Sequence, residues 1–208
     1  MKKKSKVYPE LQELIQELKQ DSLSEERKKV LQPLIHYIQN KVDLRKEVYL
    51  NFICTHNSRR SHLSQIWAQT MARHFRISKV FCYSGGTEAT AMYPAVKDTL
   101  DKKGYKIITL VEGENPVYAV RYAHGTHPII CFSKVYDHGF NPQADFAAVM
   151  VCSDAEENCP FIANAEKRLS VTYDDPKVFD NTPEKESKYE ERSRQIASEM
   201  LYVFASIK

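Results

Sequence analysis

The stretch Cys54-Thr-His-Asn-Ser-Arg-Arg60-Ser61 holds a cysteine, an arginine after five intervening residues, and a serine next to the arginine. These residue types at this spacing can capture a tetrahedral oxyanion covalently. A thiolate supplies the nucleophile, and the planar guanidinium of Arg60 presents a donor fork suited to paired oxyanion oxygens. Ser61 can donate a hydrogen bond to the sulfur. The intervening Thr55, His56, Asn57, Ser58 and Arg59 offer the backbone N–H groups that would line the anion. A second cysteine cluster lies far along the chain, Cys152-Ser-Asp-Ala-Glu-Glu-Asn-Cys159-Pro160.

Chemistry of this kind needs elements that hold the loop open. The run Glu47-Val-Tyr-Leu-Asn-Phe-Ile-Cys54 is rich in β-branched and aromatic residues and short, which reads as a buried strand delivering Cys54 to its C-terminal end. From Ser61 onward, Leu63, Ile66, Trp67, Thr70 and Met71 repeat at helical spacing, so the loop opens a helix. Helix N-termini favour bound anions and thiolates. A loop wrapped around an anion also needs a residue at positive φ. The loop has no glycine, and Asn57 is the residue most tolerant of that region. The competing reading is a plain buried thiol beside a surface arginine, but it leaves the strand, loop and helix context unexplained.

The rest of the chain sets the frame. With 208 residues it can bury a real core, and 30 basic against 27 acidic residues give +3, too little to imply a nucleic-acid partner. No apolar segment follows the basic Met1–Lys6 tail as in a signal peptide, and no run approaches a membrane span, which predicts a cytoplasmic protein. Residues 1–44 read as an extension of two amphipathic helices, one near Pro9 to Gln20 and one from Ser24 with Pro33 as a candidate kink. Residues 45–208 read as the main domain. Strands are expected at Lys79–Ser84, Lys106–Val111 and Phe146–Cys152, with a helix over Tyr93–Gly104 and a last helix from Thr182 and Pro183. This rhythm predicts βαβ units and a parallel sheet, broken near residues 112–137 by a β-hairpin around Ala123–His127.

The spacing of Cys152 and Cys159 fits structural zinc poorly, so no metal is expected there. If the segment between them is helical, seven steps hold the Cα atoms about 10 Å apart, beyond disulfide reach. Direct pairing then requires the segment to unwind, which makes it a candidate redox switch.

The loop, together with Tyr83-Ser-Gly-Gly86, the Cys152/Cys159 pair and Tyr173-Asp-Asp-Pro176, resembles the thioredoxin-coupled arsenate reductases of the low-molecular-weight protein tyrosine phosphatase superfamily. The similarity runs from about residue 46 to 206, interrupted near 112–137. It implies a flavodoxin-like parallel sheet flanked by helices, with Cys54 as nucleophile and Arg60 and the loop amides as the oxyanion site. Asp175 would be the general acid, with Asp174 as the competing choice. Cys152 would attack the Cys54 adduct, and Cys159 would then form a disulfide with Cys152 that thioredoxin reduces. No tightly bound cofactor is implied. In some members a potassium ion is bound near the loop; Asn57 and Ser84 match such positions, while Gln65 replaces an acid. The resemblance has no counterpart for the N-terminal helices.

Two other functions share these residues. A phosphomonoester or protein tyrosine phosphatase would use Cys54, Arg60 and Asp175 without the cysteine pair, and a non-catalytic redox sensor or anion-binding module would need no turnover. Cys82 and Cys131 read as buried inert thiols, His124, His127 and His138 as solvated loop residues, and Trp67 as core.

Overall fold

The computed structural model describes residues 7–158 and 161–208, so the basic tail and Cys159 lie outside the described residues. In chain order the elements are α1 (Pro9–Leu18), α2 (Glu25–Asp43), β1 (Val48–Cys54), α3 (Arg60–Phe75), β2 (Val80–Gly86), α4 (Pro94–Lys102), β3 (Lys106–Val111), β4 (Val117–Arg121), β5 (Ile129–Cys131), β6 (Phe146–Met150), α5 (Ser153–Asn158), β7 (Ala165–Ser170) and α6 (Lys185–Ala205). A 3-10 turn, Pro176–Phe179, lies between β7 and α6.

Four strands form a parallel sheet in the order β2-β1-β6-β7, flanked by helices. The inner strands β1 and β6 are almost wholly buried, as the apolar runs Val-Tyr-Leu-Asn-Phe-Ile-Cys and Phe-Ala-Ala-Val-Met require of strands covered on both faces. The outer edge of β2 is closed by α3 side chains: the Gln65 amide donates to the Cys82 carbonyl, and Gln69 pairs with both the Val80 carbonyl and the Cys82 N–H.

Two sequence readings of the sheet are corrected. Lys106–Val111 does not join the parallel sheet but forms the edge of a separate antiparallel sheet ordered β3-β4-β5. Only residues 112–116 separate β3 from β4, far fewer than a parallel crossover needs, so the two strands close as neighbours. The fourth parallel strand is instead β7, paired with β6. Its sequence Ala-Glu-Lys-Arg-Leu-Ser buries only Leu169, as suits an edge strand, and carries no apolar alternation to betray it. The hairpin β4–β5 forms as expected, and α2 runs as one helix through Pro33.

The N-terminal helices pack onto α6, with α2 also against β1 and β7, and their Leu11, Ile15, Leu31, Leu34 and Ile38 enter the common core. Trp67 is buried in the same core and donates to the Ser193 hydroxyl. No helix among the described residues is long and apolar enough to cross a membrane.

Candidate functional site

Strand β1 ends at Cys54 and α3 begins at Arg60, so residues 55–59 form a loop at the C-terminal edge of the sheet, where parallel α/β folds place their sites. The loop carbonyls are bound on its outer side. That of Cys54 accepts from Thr87 N–H (3.1 Å), that of Thr55 from Glu88 N–H (2.8 Å) and that of Ser58 from Tyr93 N–H (3.0 Å), while that of His56 accepts from the Ser133 and Thr90 hydroxyls. In a trans peptide the N–H opposes the carbonyl, so these bonds turn the N–H groups of Thr55, His56, Asn57 and Arg59 inward as an anion nest. Asn57 holds the positive-φ position, at φ 43°. Gly86 must be glycine, because a Cβ there would lie 2.6 Å from the Thr55 carbonyl oxygen and 2.7 Å from the Asn57 nitrogen.

The polar network behind the sulfur has a fixed direction. The Asn57 side-chain carbonyl accepts from Lys134 N–H (2.9 Å), which leaves its amide to donate to the Ser61 hydroxyl (2.8 Å). Ser61 accepts there, so its single proton is free for the Cys54 sulfur 3.1 Å away. A hydroxyl aimed at the sulfur can donate to it as it acts as nucleophile. Hydrogen bonds to charged groups contribute about 1.5–3 kcal/mol, so Ser61→Ala is expected to slow Cys54 alkylation by iodoacetamide at neutral pH by roughly 10- to 100-fold. A rate within twofold of the parent would show that the serine does not act on the sulfur.

The two loop arginines both grip the segment after β7. Arg60 is buried, its guanidinium donating to the Tyr173 carbonyl (2.9 Å) and the Asp175 carboxylate (2.5 Å). Asp175 also accepts from Lys177 N–H, capping the 3-10 turn. Its neighbour Asp174 points outward, with a side chain 95% exposed and paired with Arg192, so of the two candidate acids only Asp175 faces the loop. Arg59 keeps its backbone N–H in the loop, but its side chain goes elsewhere. Its guanidinium turns away to bond Tyr189 (2.5 Å) and Asp180 (2.6 Å), with the Tyr93 ring stacked on it at 4.1 Å. Only its backbone N–H is left for an anion, and its charge is met by Asp180. His56 sits at the rim, half exposed, against Glu88.

Cys152 lies one residue beyond Val151, whose N–H bonds the Ile53 carbonyl. Continuing the β1–β6 register past Ile53 and Met150 sets Cys152 opposite Thr55, one residue along from Cys54. The Cys152 sulfur is fully buried, 3.6 Å from the Thr55 hydroxyl, and receives the Ala155 N–H at 3.4 Å. The segment after it is helical, as α5. Cys82 and Cys131 are buried away from the loop; burial pushes the Cys82 thiol up strongly and that of Cys131 up to about 12, which keeps both protonated. No cluster of His, Cys, Asp and Glu that could hold a metal occurs among the described residues.

The sequence reading missed two buried groups behind the loop, His62 and Lys134. The His62 ring is fully buried with Nδ1 3.3 Å from the Ser84 hydroxyl, and the Lys134 ammonium bonds the Phe132 carbonyl between the rings of Phe132 and Phe140. Neither is marked by local pattern: His62 follows Ser61 in the chain but meets Ser84 only in the fold, which also brings Lys134 to the loop. With Asn57 spent on Lys134 and Ser61, Ser84 on His62 and Gln65 donating to strand carbonyls, the positions that match a potassium site do not fit a cation.

Burial, aided by the Lys134 charge, pushes the His62 imidazole down to about 3. Because the folded value lies below the unfolded 6.5, the unfolded chain takes up the proton first, and stability from this group is full above 6.5 and lost as pH falls toward 3. By pH 4.5 the loss is about 3 kcal/mol. Unfolding free energies from urea titrations at pH 7 and 4.5 are expected to differ by about that amount through this group, and the difference to shrink in His62→Asn. Lys134, lowered to about 8 by burial, acts in the opposite window, adding stability as pH rises from about 8 toward 10.5.

No family model matches the chain. Arsenate reductase 2 of Staphylococcus epidermidis is 28% identical over 133 residues, which cover 64% of this chain and 79% of that protein. The crystal structure of an arsenate reductase from Archaeoglobus fulgidus superposes with a TM-score of 0.49 at 17% identity, covering 75% of this chain and 98% of that one. A thioredoxin-dependent arsenate reductase of Corynebacterium glutamicum superposes with a TM-score of 0.38 at 17% identity, covering 89% of this chain and 92% of that one.

Proposed function

We infer that this chain, an enzyme of the low-molecular-weight protein tyrosine phosphatase superfamily related to the arsenate reductases, reduces arsenate to arsenite through a three-cysteine relay. The observation that carries the reading is the Cys152 sulfur, buried 3.6 Å from Thr55 of the oxyanion loop. A phosphatase whose thiol adduct is released by water has no use for a second thiol at that place.

The geometry supports the following sequence of steps. Arsenate enters the nest of loop N–H groups and competes with Asp175 for the Arg60 fork, so the acid is freed to face the departing oxygen. The Cys54 thiolate, supported by Ser61, attacks arsenic, and the oxygen leaves as water with a proton from Asp175. The Cys152 thiolate then attacks the Cys54 sulfur. A sulfur–sulfur bond forms, the sulfur–arsenic bond breaks, and its electron pair reduces arsenic(V) to arsenic(III), which departs as arsenite. Cys159 next attacks Cys152, returning Cys54 as thiolate and leaving a Cys152–Cys159 disulfide. Thioredoxin supplies the two electrons that reopen it, which fits a protein of the cytoplasm. The helical segment α5 would unwind to bring Cys159 to Cys152. The relay needs no metal or organic cofactor.

The experiment is a coupled assay: purified protein, thioredoxin, thioredoxin reductase and NADPH, with arsenate added last, beside aryl phosphate hydrolysis under the same conditions. Sustained arsenate-dependent NADPH oxidation is expected. Aryl phosphate hydrolysis alone would assign the protein to the phosphatases, and neither activity would leave an anion-binding or redox-sensing module.

A further inference from the structure

We propose that the N-terminal helical pair is a working part of the oxyanion site, with Arg27 of α2 positioning Arg60 through Tyr173. The proposal deepens the reading above and rests on its assignment of Arg60 as the oxyanion ligand.

Arg27 lies in the first turn of α2, its N–H capped by Ser24. Its guanidinium forms a bidentate pair with Glu199 of α6 at 2.7 and 2.8 Å, and its Cζ stands 4.9 Å from the centre of the Tyr173 ring. Tyr173 is buried, its N–H bonded to the Val151 carbonyl and its own carbonyl bonded to Arg60. The residue therefore has a cation on its ring and the oxyanion-site arginine on its backbone. A shift of the ring moves the carbonyl that fixes the Arg60 fork, and misplacing a binding group by about 1 Å can cost 10²-fold in rate.

A purely structural role explains less. The helical pair is already tied to α6 elsewhere, because Asp21 accepts from Arg194 and Ser198. Burying the Glu199 carboxylate with Arg27 is also a poor way to gain stability, since well-packed apolar residues do as well or better than buried ion pairs. The Arg27 cation held over the Tyr173 ring is what the pair adds toward the site, and it links the N-terminal extension to this point.

The test must not leave a buried charge unpaired, so the variant is the double substitution Arg27→Met with Glu199→Gln. The readout is protection of Cys54 from iodoacetamide by inorganic phosphate, which needs the oxyanion site but no turnover, alongside the KM for arsenate. With the far-UV circular dichroism and the thiol count unchanged, half-protection is expected to need about tenfold more phosphate, and KM to rise in parallel while kcat falls less. Loss of structure alone would lower kcat through a smaller active fraction and leave both constants in place. Arg27→Gln with Glu199→Gln, which leaves no cation over the Tyr173 ring and no unpaired charge, serves if the first double variant does not fold and is expected to show the same rise. Phosphate protection within twofold of the parent in the folded variant overturns the proposal. Absence of arsenate turnover in the parent would overturn the reductase reading without touching the phosphate result.

Discussion

Cys152→Ser is expected to abolish arsenite production, by 10³-fold or more, while aryl phosphate hydrolysis at Cys54 continues within a few-fold of the parent. A serine hydroxyl at that place cannot replace the thiol, because it is not ionised near neutral pH and is a poor nucleophile toward sulfur, so the sulfur–arsenic bond is not broken and its electron pair never passes to arsenic. The adduct on Cys54 would then wait for water. The environment of residue 152 changes little in the variant, since the Ala155 N–H and the Thr55 hydroxyl, the two neighbours of the sulfur, can both bond an oxygen. Cys159→Ser is expected to behave differently: one equivalent of arsenite per chain, then arrest with a Cys54–Cys152 disulfide, detectable by rapid quench and by mass spectrometry of the non-reduced protein. Sustained thioredoxin-dependent turnover by either variant would sink the relay. Equal loss of both activities in Cys152→Ser would instead mean that the residue supports the loop and not the electron transfer.

What the chain revealed before its structure divides along physical lines. The strand–loop–helix around Cys54 was legible because each part carries its own local signal: a β-branched run, a helical period, and an asparagine suited to positive φ, found at φ 43°. Chain patterns of this kind do not show where side chains end up when the fold offers them other partners. The place of Arg59 in the loop predicts the role of its backbone N–H but says nothing of its side chain, which Asp180 and Tyr189 draw to the other side. His62 and Lys134 were invisible for the same reason, as their meaning lies in burial beside residues distant in sequence. Strand β7 escaped because an edge strand needs few apolar residues. The misplacement of β3 came from reading strand and helix alternation as one sheet, whereas the short connection to β4 decides the matter.

Arg60→Lys is expected to lower kcat/KM for arsenate, and for aryl phosphate, by roughly 10²- to 10³-fold. The guanidinium does two things at once that an ammonium cannot. One nitrogen is held by the Tyr173 carbonyl and another by Asp175, which sets the plane of the fork before any anion arrives. A lysine has a single point of charge and must choose among the carbonyl, the carboxylate and the oxyanion, so it loses the paired geometry even where it keeps the charge. The residue is buried, and solvent cannot stand in for the lost donors. Asp175→Asn removes the other half of the same hydrogen bond, so the two substitutions are expected to be non-additive: the double variant should be less impaired than the product of the single effects, by a coupling of about 1 kcal/mol or more. Steady-state constants for the four forms of this cycle check it. Simple additivity would mean that the pair seen between the loop and the Asp175 segment does not couple the two residues between free enzyme and transition state. An Arg60→Lys enzyme within tenfold of the parent would remove the fork from the mechanism.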